Sequence, residues 1–390
     1  MKATKVLLIG PSFLYDLVDE EILRHNNIIP IYSYKLGSSV RTTTLGTTVY
    51  YDELLEEHFV DIIDKAKPAA IVCYNDNFLI QAANLRDRFS IRGITSDQIG
   101  KFKLKSEMYK AVEDVLSVPK TIKVTSLTTP QAVIEYLGQG PYFLKPDNLA
   151  GAEGTALLST LKELDSWFTS ALRKDGQYVI QQFHDLSLVH CEMYIQKGEV
   201  LYIQPRRYAY PNHKFLEGKI LASLPIVDDN LCKNIELATK EVAKSMAYND
   251  GVMHTEFFLG SKNKLIFLET NIRQAGAAIN LVHKKRTGLS METAMILLEL
   301  GKSVPLDLKC SGYEICGYIP MQKGKVIGID IPQLKGHYDF DIRVKIGEIC
   351  YNPKSASNTS VAFIGYSDSL KDLEDDLIYL ENNSIIKYLK

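Results

Sequence analysis

The sequence predicts a protein of the α/β class with α+β character, and three observations lead to that prediction. The first hundred residues alternate between short apolar runs and amphipathic stretches, as a parallel sheet with crossover helices does. Residues 251–276 contain two apolar runs around a short turn, which predicts a buried antiparallel hairpin. Residues 306–390 are rich in strand-forming segments. At 390 residues the chain is long enough for two or three domains.

Residues 1–100 predict a βαβ series. Strands are expected at Lys5–Ile9, Ile28–Tyr34 and Ala69–Cys73, with helices running through Arg24 and over Phe78–Arg88. A dinucleotide-binding fold would have the same order of elements. The turn after the first strand has no G-x-G-x-x-G pattern, however, and no acid stands at the position that would contact a ribose. The pattern therefore favours a parallel sheet without dinucleotide binding.

A basic helix is expected next, over Ile99–Val115. Its residues Lys101 and Lys105 are four apart and so share one face of a continuous helix. Lys103 is a competitor for any role given to Lys101. A charged start to an ordinary surface helix explains the same residues equally well.

A strand over Pro141–Lys145 then delivers a lysine into the loop Asp147–Thr155. The loop carries Gly151 and Gly154, which let backbone N–H groups come close to a bound anion, while Lys145 supplies charge. A phosphate-binding loop is the functional interpretation, although two glycines alone are common in loops.

More strands follow at Gln177–Phe183, Leu188–Ile195 and Val200–Gln204, the last two joined by a turn at Lys197-Gly198. The helix Leu231–Tyr248 comes after them. Its apolar stripe predicts which face is buried, and consists of Ile235, Ala238, Val242 and Met246.

The hairpin is the most informative segment of the chain. Strands are expected at His254–Leu259 and Lys264–Thr270. If the turn is centred between residues 262 and 263, Glu256 lies directly opposite Glu269. Asn263 suits such a turn because asparagine tolerates positive φ. Facing carboxylates repel each other unless a cation lies between them.

Side chains alternate along a strand, so Glu269, Asn271 and Arg273 are expected to share a face. Two glutamates and an asparagine form an oxygen-only ligand set, which suits Mg²⁺. Arg273 adds a planar fork of donors for a phosphate or a carboxylate. A solvated hairpin with ordinary surface charges is the simpler alternative, but the flanking apolar residues predict burial.

The closing region begins after a helix that has Ser290 as N-cap and ends at Gly301. Strands are expected at Gly312–Ile319, Lys325–Ile329 and Val361–Tyr366. A final helix is expected over residues 367–382.

Composition excludes several classes of function. A net charge of −2 gives no global basic field for nucleic acid or an anionic membrane. The six cysteines form no CxxC pair, which is typical of reduced thiols in a cytoplasmic protein. No signal peptide and no apolar run of 18 residues is seen. A cytoplasmic protein that binds neither nucleic acid nor membrane is expected.

The motifs HTEF and LETNIRQAGAAI closely resemble the metal-binding core of the ATP-grasp superfamily. In that family an H-x-E-F strand is followed by E-x-N-x-R and a glycine-containing stretch. The resemblance implies that Glu256, Glu269 and Asn271 bind Mg²⁺ on ATP, with Mn²⁺ as an alternative. It also implies that Arg273 stabilises an acyl-phosphate.

The resemblance extends along nearly the whole chain. It implies an ATP-grasp fold with an N-terminal lobe (1–100), an ATP-grasp domain (101–305) that contains a lid subdomain (about 116–186), and a β-rich C-terminal lobe (306–390). Lys145 would contact the α- and β-phosphates, and Lys101 would lie near the phosphates.

The remaining nucleotide contacts are implied in the same way. Gln181, Gln182 and Phe183 would form the adenine hinge, and Glu192 would contact the ribose. The family usually has glutamate where this chain has Gln181, and serine or a basic residue where it has Glu153.

Within the superfamily, the motifs look like those of carboxylate–amine ligases such as L-amino acid ligases. ATP-dependent amide-bond formation between small-molecule carboxylate and amine substrates is therefore expected. His254 is a candidate base for the amine, although a lone histidine is more often a core residue. A carboxylase of the biotin-carboxylase or purine-synthesis type and a catalytically lapsed ATP-binding module remain alternatives. A homodimer is a further expectation.

Overall fold

The computed structural model describes residues 3–35, 44–51, 55–149, 154–170, 176–308 and 311–389. The strands within these ranges form four sheets, one of them parallel and the others antiparallel. The mixed α/β class predicted from the sequence is confirmed. In the part of the chain that is described, no helix has the length and apolar character needed to cross a lipid bilayer.

The N-terminal lobe is built on a four-stranded parallel sheet in the order β3-β2-β1-β4. Its strands are β1 (Thr4–Ile9), β2 (Ile28–Lys35), β3 (Thr47–Tyr51) and β4 (Ala70–Cys73), and its helices are α1 (Ser12–Tyr15), α2 (Glu20–His25), α3 (Glu56–Ala66) and α4 (Leu79–Phe89). Residues 6–9 of the central strand β1 are fully buried, as expected for a parallel strand covered on both faces.

The predicted helix through Arg24 is interrupted in the structure, where α1 and α2 are separate. The interruption lies beside Asp19, whose carboxylate accepts hydrogen bonds from the backbone N–H of Ser290 at 2.8 Å and from Lys284 Nζ at 2.6 Å. These long-range contacts fix Asp19 outside the helix, so tertiary structure overrides local propensity here.

The helix predicted over Ile99–Val115 is also two helices, α5 (Ser96–Lys103) and α6 (Lys105–Val112). Leu104 between them is extended, with φ −98° and ψ 118°. Asp147 caps the N-terminus of α6. Its carboxylate accepts hydrogen bonds from the backbone N–H of Ser106 at 2.8 Å and from Ser106 Oγ at 2.7 Å. A capped helix start at this point explains the break.

A small antiparallel sheet with its own core falls within the range predicted for the lid. Its strand order is β5-β8-β6-β7. The elements are β5 (Thr121–Lys123), α7 (Pro130–Leu137), β6 (Tyr142–Pro146), β7 (Ala156–Leu158), α8 (Leu161–Phe168) and β8 (Tyr178–Gln182). Leu144, Leu164 and Trp167 are buried between the sheet and its helices.

An eight-stranded antiparallel sheet forms the body, in the order β13-β12-β9-β10-β11-β14-β18-β16. Its strands are β9 (Ser187–Gln196), β10 (Glu199–Tyr208), β11 (Leu221–Pro225), β12 (Gly251–Leu259), β13 (Leu265–Asn271), β14 (Tyr313–Pro320), β16 (His337–Ile342) and β18 (Thr359–Ser367). The sheet is continuous from the hairpin into the predicted C-terminal lobe, because β11 pairs with β14.

Helices cover this body and close the chain. They are α9 (Asp229–Ser245), α10 (Ile279–Thr287), α11 (Met291–Glu299) and α12 (Leu370–Asn382). The buried stripe predicted for α9 is confirmed, since Ile235, Ala238, Val242 and Met246 are all buried. A last small sheet pairs β15 (Gly324–Ile329) with β17 (Ile349–Cys350) and with β19 (Ile386–Leu389).

Candidate active site

The hairpin of β12 and β13 places Glu256 directly opposite Glu269, as predicted. The route to this pairing differs from the prediction. On the turn side of the hairpin, Phe257 lies opposite Phe267. A bulge between Glu256 and Phe257 then shifts the strand register by one residue, and this shift brings Glu256 opposite Glu269. Asn263 has the predicted positive φ, at 58°. Bulges often occur beside functional sites because they redirect a side chain.

One oxygen of Glu256 is fully occupied by the protein. Glu256 Oε1 accepts hydrogen bonds from Tyr208 Oη at 2.7 Å and Asn212 Nδ2 at 2.9 Å, and His254 Nε2 lies at 3.3 Å. Within the described ranges, no hydrogen bond reaches Oε2. The carboxylate is therefore held rigidly, with one oxygen left for another ligand.

His254 lies between two carboxylates. Its Nδ1 is 2.6 Å from Glu192 Oε1, and its Nε2 points at Glu256. Burial alone would lower the pKa of His254, but the two carboxylates raise it to about 10. At neutral pH the ring is an imidazolium, which has no free lone pair. This state does not fit the predicted role of a base for the amine. His254 instead orients Glu256.

Glu192 is completely buried beneath the strands and does not line the cleft. Its Oε1 also lies 2.9 Å from His190 Nδ1, and Ser223 Oγ lies 2.9 Å from His190 Nε2. This position does not fit the predicted ribose contact. The carboxylate of Glu192 instead holds His254 in place, by accepting a hydrogen bond from its Nδ1.

The cleft beside the hairpin brings together residues that are far apart in sequence. Its polar lining comes from both glutamates of the hairpin, from α6, from the small sheet and from the segment after β10. These polar residues are Lys105, Lys145, Thr155, Gln181, Gln182, His184, Asn212, His213, Glu256 and Glu269.

Lys105 lines this cleft, whereas Lys101 and Lys103 do not. Lys105 Nζ lies 3.7 Å from Glu269 Oε2 and donates to the carbonyl oxygen of Leu149 at 2.5 Å. The ammonium of Lys101 lies 5.4 Å from the ring centroid of Phe102. The helix break at Leu104 separates Lys101 from the face that carries Lys105, which the prediction of one continuous helix could not show.

Lys145 enters the cleft from β6, as the sequence predicts. Burial lowers the pKa of Lys145 to about 8, although the charge of Glu269 acts in the opposite direction. Gly154 has a φ of +68°, and a Cβ there would lie 2.9 Å from Pro146 Cγ. Glycine is therefore required at 154. Gly151 and Glu153 lie outside the described residues.

The predicted hinge residues Gln181, Gln182 and Phe183 all line the cleft. Gln181 is buried, and its Nε2 donates to Thr121 Oγ1 at 2.7 Å. This hydrogen bond to β5 fixes the orientation of the Gln181 side-chain amide. The centroids of the Phe183 and His213 rings are 5.8 Å apart, and the two rings form an aromatic wall of the cleft.

Arg273 lies just beyond the end of β13, near both glutamates of the hairpin. Its Nε and Nη2 lie 2.7 and 2.6 Å from Asp76 Oδ2 of the N-terminal lobe. Asn271 is the last residue of β13 and is buried opposite His254. The hairpin therefore positions Glu269 and Asn271, whereas Arg273 follows β13 and is held by Asp76.

Several residues of the site carry no signal in the sequence. Tyr208 and Asn212, which fix Glu256, belong to a strand end and a short 3₁₀ segment (Asn212–Glu217) that show no motif. Asp76 follows β4 at the carboxyl end of a parallel sheet. Ligand sites concentrate at that end of such sheets, so Asp76 could have been suspected from topology.

The donor set fits a hard divalent cation. Glu256 Oε2, the carboxylate of Glu269 and the side-chain oxygen of Asn271 are all oxygen ligands, as Mg²⁺ prefers. The ammonium of Lys105 lies 3.7 Å from Glu269, a separation longer than a hydrogen bond. Such an ion would offset the repulsion between the two facing carboxylates.

Comparison with solved structures identifies the fold. The chain is similar to an L-amino acid ligase from Bacillus licheniformis, with a TM-score of 0.80 at 14% identity. The similarity covers 100% of both chains. It is similar to an N5-carboxyaminoimidazole ribonucleotide synthetase from Thermus thermophilus, covering 99% of both chains with a TM-score of 0.72 at 16% identity. The chain has the ATP-grasp fold that its motifs predict.

Sequence comparison gives a match over a smaller part of the chain. No family model matches the chain. A D-alanine–D-alanine ligase from Lactococcus lactis subsp. cremoris is 26% identical over 149 residues, which are 36% of this chain. The chain spans 42% of the length of that relative.

Proposed function

We propose that this protein is an ATP-dependent carboxylate–amine ligase that forms an amide or peptide bond and releases ADP. The observation that carries the proposal is the convergence of Glu256 and Glu269 in one cleft with Lys105 and Lys145. Arg273 is held by Asp76 and lies near enough to both glutamates for their charges to act on it. This set supplies acid ligands for a metal, cations for phosphates and a fixed guanidinium beside them. The similarity in fold to an L-amino acid ligase and to an N5-carboxyaminoimidazole ribonucleotide synthetase supports it.

ATP is expected to bind along the cleft. Phe183 and the backbone beside Gln182 would receive the adenine, while Lys145 and Lys105 would bind the phosphates. Glu256, Glu269 and Asn271 would hold Mg²⁺, which neutralises charge on the phosphate oxygens when bound. Mn²⁺ can replace Mg²⁺ at such an oxygen site.

The first chemical step joins the carboxylate substrate to ATP. A carboxylate oxygen attacks the γ-phosphorus, the bond from that phosphorus to the β–γ bridging oxygen breaks, and ADP leaves. Lys105 and Lys145 stabilise the charge that moves onto the phosphates. The product is an acyl-phosphate, which survives only where water is excluded.

The second step transfers the acyl group. The neutral amine attacks the acyl carbon, and Arg273 stabilises the oxyanion that forms on the carbonyl oxygen. The bond from the acyl carbon to the phosphate oxygen then breaks. Since His254 is already protonated, the departing phosphate is the better acceptor for the amine proton.

The carboxylate and amine are proposed to be amino acids or small peptides. A carboxylase is the second candidate, because a biotin carboxylase domain from Hydrogenobacter thermophilus is similar over 98% of this chain, with a TM-score of 0.72 at 14% identity. That enzyme's structure contains bicarbonate and MgADP. Bicarbonate-dependent ATP hydrolysis would favour this second candidate.

The experiment that tests the proposal is phosphate release from ATP and Mg²⁺ across a matrix of amino-acid pairs, with bicarbonate in a separate arm. Amide product should appear with phosphate for particular pairs and should need both substrates. Turnover with bicarbonate alone would support the carboxylase. No turnover in either arm would contradict both proposals. A homodimer stays a prediction that light scattering can check.

A further inference from the structure

The guanidinium of Arg273 is held by a residue of the N-terminal lobe. Both Nε and Nη2 contact Asp76 Oδ2, at 2.7 and 2.6 Å, and Nη1 donates to the carbonyl oxygen of Gln274 at 2.7 Å. A guanidinium has five N–H donors. Among the residues that the structure describes, these contacts use three donors, so one N–H on Nη1 and one on Nη2 remain for a substrate.

Asp76 is itself fixed in place. The side chain of Asn75 accepts a hydrogen bond from Asn77 N at 3.0 Å, which forms a tight turn around Asp76. One residue beyond Arg273, Gln274 Nε2 donates to the carbonyl oxygen of Tyr74 at 3.0 Å. The end of β4 is thus joined to the end of the hairpin by two side chains, and both contacts are buried or nearly so.

Arg273 has other attractive partners close by. Besides Asp76, the carboxylates of Glu269 and Glu256 act on its charge. An arginine without Asp76 would be drawn toward these two carboxylates, because a buried guanidinium needs a counter-charge. It would then compete with a metal ion for the same oxygens.

We propose that Asp76 is a positioning residue that holds Arg273 away from the metal-binding carboxylates and aims its two free N–H groups at the acyl group. The inference rests on the ligase function proposed above. It assigns the N-terminal lobe a part in the reaction, because Asp76 of that lobe holds Arg273.

The first test is Asp76→Asn, which keeps the shape of the side chain and removes its charge. Turnover should fall about ten- to hundredfold, the range typical of residues that orient a functional group. The Mg²⁺ concentration that gives half-maximal ATP binding, measured by calorimetry, should rise several-fold because Arg273 turns toward Glu269. A merely structural role would lower the melting temperature and leave the Mg²⁺ dependence unchanged.

The double variant Asp76→Asn/Arg273→Ala separates competition from general damage. Removing the arginine should return the Mg²⁺ dependence of ATP binding to the wild-type value, while turnover stays low. Asp76→Glu keeps the charge and should retain a Mg²⁺ dependence close to wild type, which covers the case in which Asp76→Asn fails to fold. Asp64→Asn is the control, since Asp64 pairs with Lys67 on the surface of the same lobe.

Unchanged turnover and unchanged Mg²⁺ dependence in Asp76→Asn would overturn the inference. So would a Mg²⁺ requirement that stays high in the double variant, because the competing arginine would be absent. Failure of the proposed function has a different signature, namely a wild-type protein that forms neither amide nor ADP with any substrate pair.

Discussion

Glu256 and Glu269 face each other across two antiparallel strands, at the residue where a bulge interrupts the ladder. Carboxylates in this arrangement repel each other. The protein satisfies one oxygen of Glu256 with Tyr208 and Asn212 and places the charged ring of His254 beside it. The remaining oxygens face the cleft, where a divalent cation would relieve the repulsion.

Glu269→Gln should abolish metal-dependent ATP turnover while the fold is retained. The amide keeps the volume of the side chain and removes the charge that Mg²⁺ needs. ADP formation with and without Mg²⁺ measures the effect, and circular dichroism checks the fold. Glu199→Gln, at an exposed position on β10, is the matched control. Normal Mg²⁺-dependent ADP formation by Glu269→Gln would remove Glu269 from the metal site.

Lys145→Ala should weaken ATP binding, because the ammonium inside the cleft is lost. The wild-type protein should show a related pH effect. Burial lowers the pKa of Lys145 to about 8, so the free protein loses this charge as the pH rises through that value. The dissociation constant of ATP should then increase by up to about tenfold per pH unit.

Lys145→Arg is the control for that pH effect, since arginine stays charged throughout this range. Its ATP affinity should be flat between pH 7 and 9. A wild-type profile that is equally flat would show that Lys145 does not contact the phosphates.

Arg273→Ala should bind Mg·ATP with near-normal affinity and lose ligation. Removing one donor to an oxyanion costs about 3–4 kcal/mol of barrier, or roughly a hundred- to a thousandfold in rate. Lysine should not rescue the activity, because a point charge cannot contact Asp76 and an oxyanion together. Calorimetric titration with ATP beside a product assay decides the matter. Lost ATP binding would place Arg273 in the nucleotide site instead.

His254→Gln should destabilise the protein by about 3–5 kcal/mol, the typical cost of breaking a buried ion pair. The change leaves Glu192 and Glu256 without the cation between them. Denaturant unfolding measures the loss, and His337→Gln, exposed on β16, should change stability by less than about 0.5 kcal/mol.

The pH dependence of this loss has a defined sign. The pKa of His254 is raised in the folded protein to about 10. Its stabilising contribution is therefore complete below the pKa of the unfolded chain and disappears as the pH rises through about 10. The difference in stability between wild type and His254→Gln should therefore become smaller as the pH rises toward and past about 10. A constant difference would mean that His254 is neutral in the fold.

The sequence predicted the parts of the site that lie within one hairpin. Alternation along a strand and the symmetry of a short turn are local rules, so Glu256 and Glu269 could be paired from the sequence. Even there the correct pairing depends on a bulge that no residue pattern announced.

The remainder depends on contacts between distant segments. The helix break at Leu104, which brings Lys105 rather than Lys101 into the cleft, is fixed by Asp147, the residue after β6. The family pattern suggested a ribose contact for Glu192. Alternation along β9 shows which residues share a face of the sheet, but it does not show which of the two faces borders the cleft. The pairing of Asp76 with Arg273 joins residues almost two hundred positions apart, beyond any local rule.

Labelling the oxygens of the carboxylate substrate shows whether an acyl-phosphate forms during the reaction. A carboxylate substrate labelled with ¹⁸O is incubated with the protein, ATP, Mg²⁺ and an amine partner found in the substrate matrix. If an acyl-phosphate forms, one labelled oxygen must leave with the phosphate, and mass spectrometry should find one ¹⁸O in each inorganic phosphate released. Unlabelled phosphate formed together with the amide would contradict the account, because the carboxylate would then never have attacked the γ-phosphorus.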